Sequence, residues 1–144
     1  LTKPLLISPI NLYKLFLENI DKYIDLSEED WQKLYERAIT HVYPESELYI
    51  FIKRNKNVAY IAYSKQEKTI KQLYVLPQYF NQGIGQKLMS YVIKQHPEPM
   101  KIGVRTDNDV ALHIYTKFGF QKIKEEKYDS SGVYLPHYIL ERKA

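Results

Sequence analysis

Two stretches of this sequence hold residue types that can do chemistry at a spacing that suits it. The first, Gln82-Gly83-Ile84-Gly85, heads a segment in which Leu88, Met89, Val92 and Ile93 recur at helical spacing. The first N–H groups of a helix have no intrahelical acceptor and sit at the positive end of its dipole. Glycine lets the backbone adopt φ > 0 and lets a ligand approach closely. A strand, a glycine-bearing turn and a helix therefore make an anion site. Leu73-Tyr74-Val75-Leu76-Pro77 supplies a strand just upstream. Gly-x-Gly alone can equally be a tight connection with no ligand. The second stretch is Asn108, Ala111, Tyr115, Lys117 and Gly119-Phe120. Ala111, Ile114, Tyr115 and Phe118 share one helical face, so Tyr115 is either a core aromatic or a phenol placed to move a proton. With 14 tyrosines in the chain, position alone does not choose between them.

The elements that must position these residues follow from periodicity and turn chemistry. Leu12, Leu15, Phe16, Ile20 and Tyr23 repeat at helical spacing over residues 10–23. Ser27 then offers a capping oxygen, with Asp30 three residues on, before the helical face of Trp31, Leu34, Tyr35, Ala38 and Ile39. Residues 48–53 and 58–63 are β-branched and aromatic, with Asn55 and Asn57 between them, and read as a hairpin. Residues 69–75 form a third strand ended by Pro77. Residues 85–95 form a helix ended at His96-Pro97-Glu98-Pro99. Residues 100–105 are a short strand, and 109–118 a helix closed by Gly119 in a left-handed cap. Residues 121–127 and 133–141 make a final hairpin around Asp129-Ser130-Ser131-Gly132. Residues 1–10 are apolar, interrupted by Pro4 and Pro9, and carry a candidate first strand rather than a signal peptide. The central strand–helix–strand unit requires one parallel crossover, whereas the other connections suit antiparallel pairing. The fold class is therefore α/β (α+β): a mixed, mostly antiparallel sheet flanked by helices.

In this order, about one strand and one helix apart, the two stretches resemble the paired cofactor motifs of the GNAT superfamily of acyl-CoA-dependent N-acyltransferases. The resemblance covers the chain from about residue 48 to its end, and the element order agrees with the GNAT fold. It implies acetyl-CoA as co-substrate. The family's loop, Gln/Arg-x-x-Gly-x-Gly/Ala, falls on Phe80 to Gly85, and its backbone amides bind the CoA pyrophosphate. Phe80, Asn81, Gln82, Gly83, Ile84, Gly85 and Gln86 are thus implied as cofactor residues. Gly83 and Gly85 match the pattern. Phe80 stands where glutamine or arginine is usual, and Asn81 where many members have glycine, so CoA affinity is expected to be lower unless Gln82 or Lys87 compensates. Leu73, Tyr74 and Val75 are implied as a bulged strand whose free backbone groups hold the pantetheine arm. Asn108 and Ala111 are implied near the cofactor, and Tyr115 near its sulfur as catalytic proton donor. A thiol near ~8.5 and a phenol near ~10 are close enough in pKa for useful proton transfer.

The implied activity is acetyl transfer to a primary amine by direct attack, with a small-molecule amine as first choice of acceptor. Tyr60, Tyr63, Tyr134 and Tyr138 are candidates for an aromatic acceptor pocket, or ordinary sheet residues. A protein, aminoacyl-tRNA, or CoA binding without turnover are the alternatives. A general base is not evident. Gly103 occupies the place where some protein N-terminal acetyltransferases carry glutamate, and Lys71 and Gln72 fill the middle of the strand where others do. Glu67 lies near the start of that strand, too far out, so Glu45, Glu47, His41 and His137 remain as weak candidates, and water is as good.

Bulk composition bounds the rest. The chain has 144 residues, 44% hydrophobic and 26% charged, which suits one domain over residues 1–144 with its own core. Without cysteine it has no disulfide, thiolate metal site or cysteine nucleophile, and it fits a reducing cytoplasm. The four histidines lack ligand spacing, so no metal is expected. No apolar run reaches the ~18 residues of a membrane span. The net charge of +4 is scattered, so a nucleic-acid surface is not indicated, although tRNA stays open as an acceptor. The sequence also leaves a homodimer open.

Overall fold

A computed structural model describes residues 2–4, 27–42 and 44–143. The helix expected over residues 10–23 lies outside these. A seven-stranded sheet runs in the order β1-β2-β3-β4-β5-β7-β6. The strands are β1 Thr2–Pro4, β2 Glu47–Lys53, β3 Lys56–Ser64, β4 Thr69–Val75, β5 Met100–Arg105, β6 Phe120–Tyr128 and β7 Tyr134–Arg142. Only β4 and β5 are parallel, and the chain joins them through helix α2, Ile84–Gln95. Helix α1 spans Glu28–Arg37 and helix α3 Asp109–Lys117.

The turn chemistry explains the boundaries. Ser27 Oγ accepts from the Asp30 amide at 3.1 Å and starts α1, which passes through a π-turn at Ala38–Val42. The β2–β3 turn is Arg54-Asn55, both left-handed, and not the Asn55–Asn57 segment expected from composition. Two consecutive positive φ angles give the tight hairpin whose twist matches the strands. Asn57 instead joins β3 opposite Ile52, beside a bulge. Gly119, with φ +94, closes α3 as expected. Asp129 Oδ1 accepts from the amides of Ser131 and Val133 at 2.9 and 3.0 Å and shapes the last hairpin.

Two cores lie on opposite faces of the sheet. One joins α2 and α3 to the sheet through Ile61, Tyr63, Ile70, Leu88, Met89, Val92, Ile102 and Phe120. The other gathers Ala38, Val42, Ile50, Tyr60, Ala62, Tyr74 and Leu76 beneath the end of α1. Strand β3 is buried on both faces, so Val58–Tyr63 reads as a continuous apolar run rather than an alternating one. Each large side chain so buried contributes roughly 1.5–3 kcal/mol.

Candidate active site

Strands β4 and β5 pair only at Thr69–Lys101 and Ile70–Ile102. Beyond Ile70 they part. The cause is visible on the other edge of β4. Ala62 of β3 faces Gln72, yet the next residue, Tyr63, faces Ile70, so Lys71 is an extra, bulged residue. A bulge adds twist and turns the strand away from its neighbour. The gap opens into a cleft of about 760 Å³ lined by β4 from Ile70 to Val75, by Ile102 to Arg105 of β5, and by the ends of α2 and α3.

At the top of the cleft the chain turns through Pro77–Tyr79 and enters α2. Asn81 and Gly83 both have positive φ, +62 and +74. Gly83 is the N-cap of α2, and no side chain caps the helix. Its first intrahelical bond runs from the Lys87 amide to the Gly83 carbonyl at 3.0 Å, so the Ile84, Gly85 and Gln86 amides have no acceptor within the helix. No atom lies within 4 Å of where a Gly83 Cβ would stand, so the space is open. Three amides at a helix start with open space before them suit a phosphate. The Phe80 side chain is 47% exposed at the rim.

Of the residues implied to contact a cofactor, Leu73, Tyr74, Val75, Phe80, Asn81, Gly83, Ile84, Gly85, Gln86, Asn108, Ala111 and Tyr115 all line this cleft. Gln82 does not. Its side-chain Oε1 accepts from the Lys53 ammonium, which also lies 5.9 Å from the Tyr79 ring. Sequence reading missed Lys53, which comes from β2 and brings a cation to the loop. Lys87 lies over the Phe51 ring at 5.9 Å.

Asn108 is the N-cap of α3, its Oδ1 accepting from the Ala111 amide at 3.1 Å. That leaves its amide N–H groups for a ligand. Tyr115, two turns on, packs its ring 6.2 Å from Phe120. Burial alone pushes its phenol up to about 12. It therefore stays protonated at any working pH, which suits a donor. The gap to a thiol near ~8.5 widens to ~3.5 units, or ~5 kcal/mol, so a proton must pass as the sulfur departs rather than in a separate step.

The weak base candidates are scattered. Glu67 binds Lys71 at 2.9 Å in the β3–β4 turn. His41 and Glu45 lie with Ser130 and Ser131 in a shallow groove by the end of α1. Glu47 belongs to a cluster at the far end of α2 that sequence reading missed. Its Oε2 is 3.1 Å from His96 Nε2 and accepts from the Tyr49 hydroxyl at 2.6 Å. Glu98 lies 3.6 Å from His96 Nδ1 and accepts from the Tyr63 hydroxyl at 3.1 Å. Residues 47 and 96 share no local period, so only the fold could reveal this group. The four tyrosines considered for an acceptor pocket do not line one. Tyr60 and Tyr63 are fully buried in opposite cores, Tyr134 is exposed against Tyr128, and Tyr138 lies under Lys122. Among the described residues no cluster of His, Cys, Asp or Glu could hold a metal, and no helix is long and apolar enough to cross a membrane.

A strand pair parted over a helix N-terminus, with a half-buried phenol beside the gap, defines a class of protein. The profile of the acetyltransferase (GNAT) family matches residues 12–120, and the chain belongs to that family. The fold is shared with a GNAT family acetyltransferase from Elizabethkingia anophelis with acetyl-CoA bound, at TM-score 0.72 and 21% identity, covering 100% of this chain and 97% of that one. An acetyltransferase of the GNAT family from Staphylococcus aureus Mu50 matches at TM-score 0.72 and 22% identity over 99% and 97%. The chain is also 38% identical over 79 residues to UPF0157 protein YqkA of Bacillus subtilis strain 168. That match takes in 52% of this chain and 23% of YqkA, so the chain spans under a quarter of that relative's length at the matched part.

Proposed function

We propose that this chain moves an acetyl group from acetyl-CoA to a primary amine by direct attack, with Tyr115 as proton donor. The observation that carries the reading is the parting of β4 from β5 after only two residue pairs, beside the uncapped start of α2. The amides of Ile84, Gly85 and Gln86, with the open space at Gly83, would hold the pyrophosphate. The backbone of Leu73 to Val75 would hold the pantetheine arm like an added strand. Asn108 would donate from its amide, and Ala111 gives room beside it. Tyr115 gives its proton to the departing sulfur. When bound, acetyl-CoA supplies the activated acyl carbon. A small-molecule amine is the acceptor this reading prefers. Location in the cytoplasm, which suits a chain without cysteine, belongs to the same proposal.

The test is calorimetric binding of CoA and acetyl-CoA, with acetyl transfer followed by mass spectrometry over a panel of primary amines. Binding with transfer to a small amine is expected. Binding without transfer to amines, peptides or aminoacyl-tRNA would make the chain a CoA-binding protein and overturn the enzymatic reading.

A further inference from the structure

The geometry points to His137 as the general base that deprotonates the acceptor amine, an assignment that rests on the transferase reading above. A primary amine is mostly protonated near neutral pH and must lose a proton before it can attack. His137 Nδ1 lies 2.6 Å from the Leu135 carbonyl oxygen. A carbonyl can only accept, so Nδ1 carries a proton, and in the neutral ring Nε2 then keeps its lone pair. The imidazole is thus held in the tautomer that a base needs.

Its position is equally specific. Ile102 and Val104 of β5 face the core beneath α2 and α3, so Gly103 between them faces the other side of the sheet. Gly103 lines the cleft. The His137 ring carbon Cδ2, bonded to Nε2, lies 3.7 Å from where a Gly103 Cβ would stand. His137 is not itself among the residues lining the cleft, but the missing side chain at 103 leaves no atom of residue 103 between the imidazole edge and the part of the cleft that Gly103 lines. Tyr115 packs against the core on the α2 and α3 side. Donor and base so lie on opposite faces of the sheet, one for the departing sulfur and one for the arriving amine. Two charged residues face His137 across its strand: Arg105 on β5, 3.3 Å from Asp107, and Glu126 on β6, 3.4 Å from Lys124.

The protons balance. Nε2 takes one proton from the ammonium and later releases it to solvent. The free amine forms the C–N bond as the C–S bond breaks. Tyr115 protonates the sulfur, and the second proton lost by nitrogen restores the phenol. One proton is released per turnover.

The test variant is His137→Asn, which keeps an N–H near the Nδ1 position and removes Nε2. Single-turnover rates are measured against pH with acceptor amines from the panel and with fluorinated ethylamines as low-basicity members. In the native protein the alkaline-rising limb should hold its place as amine basicity changes. In the variant it should track each amine's own pKa, with a fall of about 10²-fold at neutral pH, partial rescue by added imidazole and unchanged CoA affinity. A variant with the native profile overturns His137 while leaving the transferase reading intact. Acetyl-CoA binding with no transfer by the native protein overturns both. Long-range proton–nitrogen NMR of the histidine rings needs no acceptor: His137 protonated on Nδ1 supports the assignment, and protonation on Nε2 overturns it.

Discussion

Replacing Tyr115 by phenylalanine separates the chemical role of this residue from its structural one, because the two predict effects of opposite sign. The ring packs against Phe120 and would remain. The hydroxyl shows a shift caused by burial alone, with no hydrogen bond or charge contributing. Removing a partly desolvated hydroxyl without a partner strands no other group, so stability should hold or rise slightly, within ~1 kcal/mol. Turnover should fall. Without the donor the sulfur must leave as a thiolate or await a water, and loss of a positioned acid costs ~10²–10⁴ in the chemical step. That is ~3–5 kcal/mol of barrier. Because the phenol titrates only near about 12, the native pH profile should show no Tyr115 ionisation at working pH. The assay is single-turnover acetyl transfer, since slow product release would hide the effect in steady state. The loss should shrink with acyl donors whose thiol is more acidic. Native single-turnover rates in Tyr115→Phe, or a clear loss of stability with rates intact, would refute the donor assignment.

Three further outcomes are expected. Gly83→Val should weaken CoA binding more than it lowers the melting temperature: φ +74 strains a β-branched residue, but its side chain would enter open space; normal CoA binding by calorimetry would reduce this loop to a turn. Phe80→Arg should tighten CoA binding by about 1.5–3 kcal/mol if the guanidinium reaches phosphate, at little packing cost because Phe80 is 47% exposed; a weaker complex would mean that Phe80 itself contacts ligand. Stability should decline on both sides of neutral pH. The Tyr49 hydrogen bond, then His96, holds Glu47 below the usual carboxylate range, and that contribution is lost as pH falls. Burial, then Glu47, raises the Tyr49 phenol, and that contribution is lost as pH climbs above the usual tyrosine range. Tyr49→Phe should lower the urea midpoint near neutral pH and shrink its decline in acid, and an undiminished decline would detach Glu47 from acid stability.

Much of the fold was legible because local chemistry and tertiary structure agree. Ser27, Gly83 and Gly119 punctuate helices as their types require, and a strand–helix–strand pattern forces the parallel β4–β5 pair. The candidate site was legible for the same reason: twelve of the thirteen implied cofactor residues sit on β4, on the loop and start of α2, and on α3 with its N-cap, which meet at one cleft. Gln82 escaped because its preference for Lys53 is a long-range contact. The insertion of β7 between β5 and β6 left no local signal, and neither did the bulge at Lys71. The Glu47–His96 pair, an exposed carboxylate on a buried imidazole, was invisible because 49 residues separate its members. His137 gains meaning only from Gly103, a neighbour that the sheet brings to it.

The central claim is that the parted β4–β5 cleft binds acetyl-CoA with its thioester at Tyr115. A crystal structure with acetyl-CoA tests it most directly. The account predicts pyrophosphate oxygens within hydrogen-bond distance of the Ile84, Gly85 and Gln86 amides, the pantetheine arm alongside Leu73 to Val75, and the sulfur within reach of the Tyr115 hydroxyl. A cofactor seated elsewhere, or one in this cleft with its sulfur turned away from Tyr115, would contradict it.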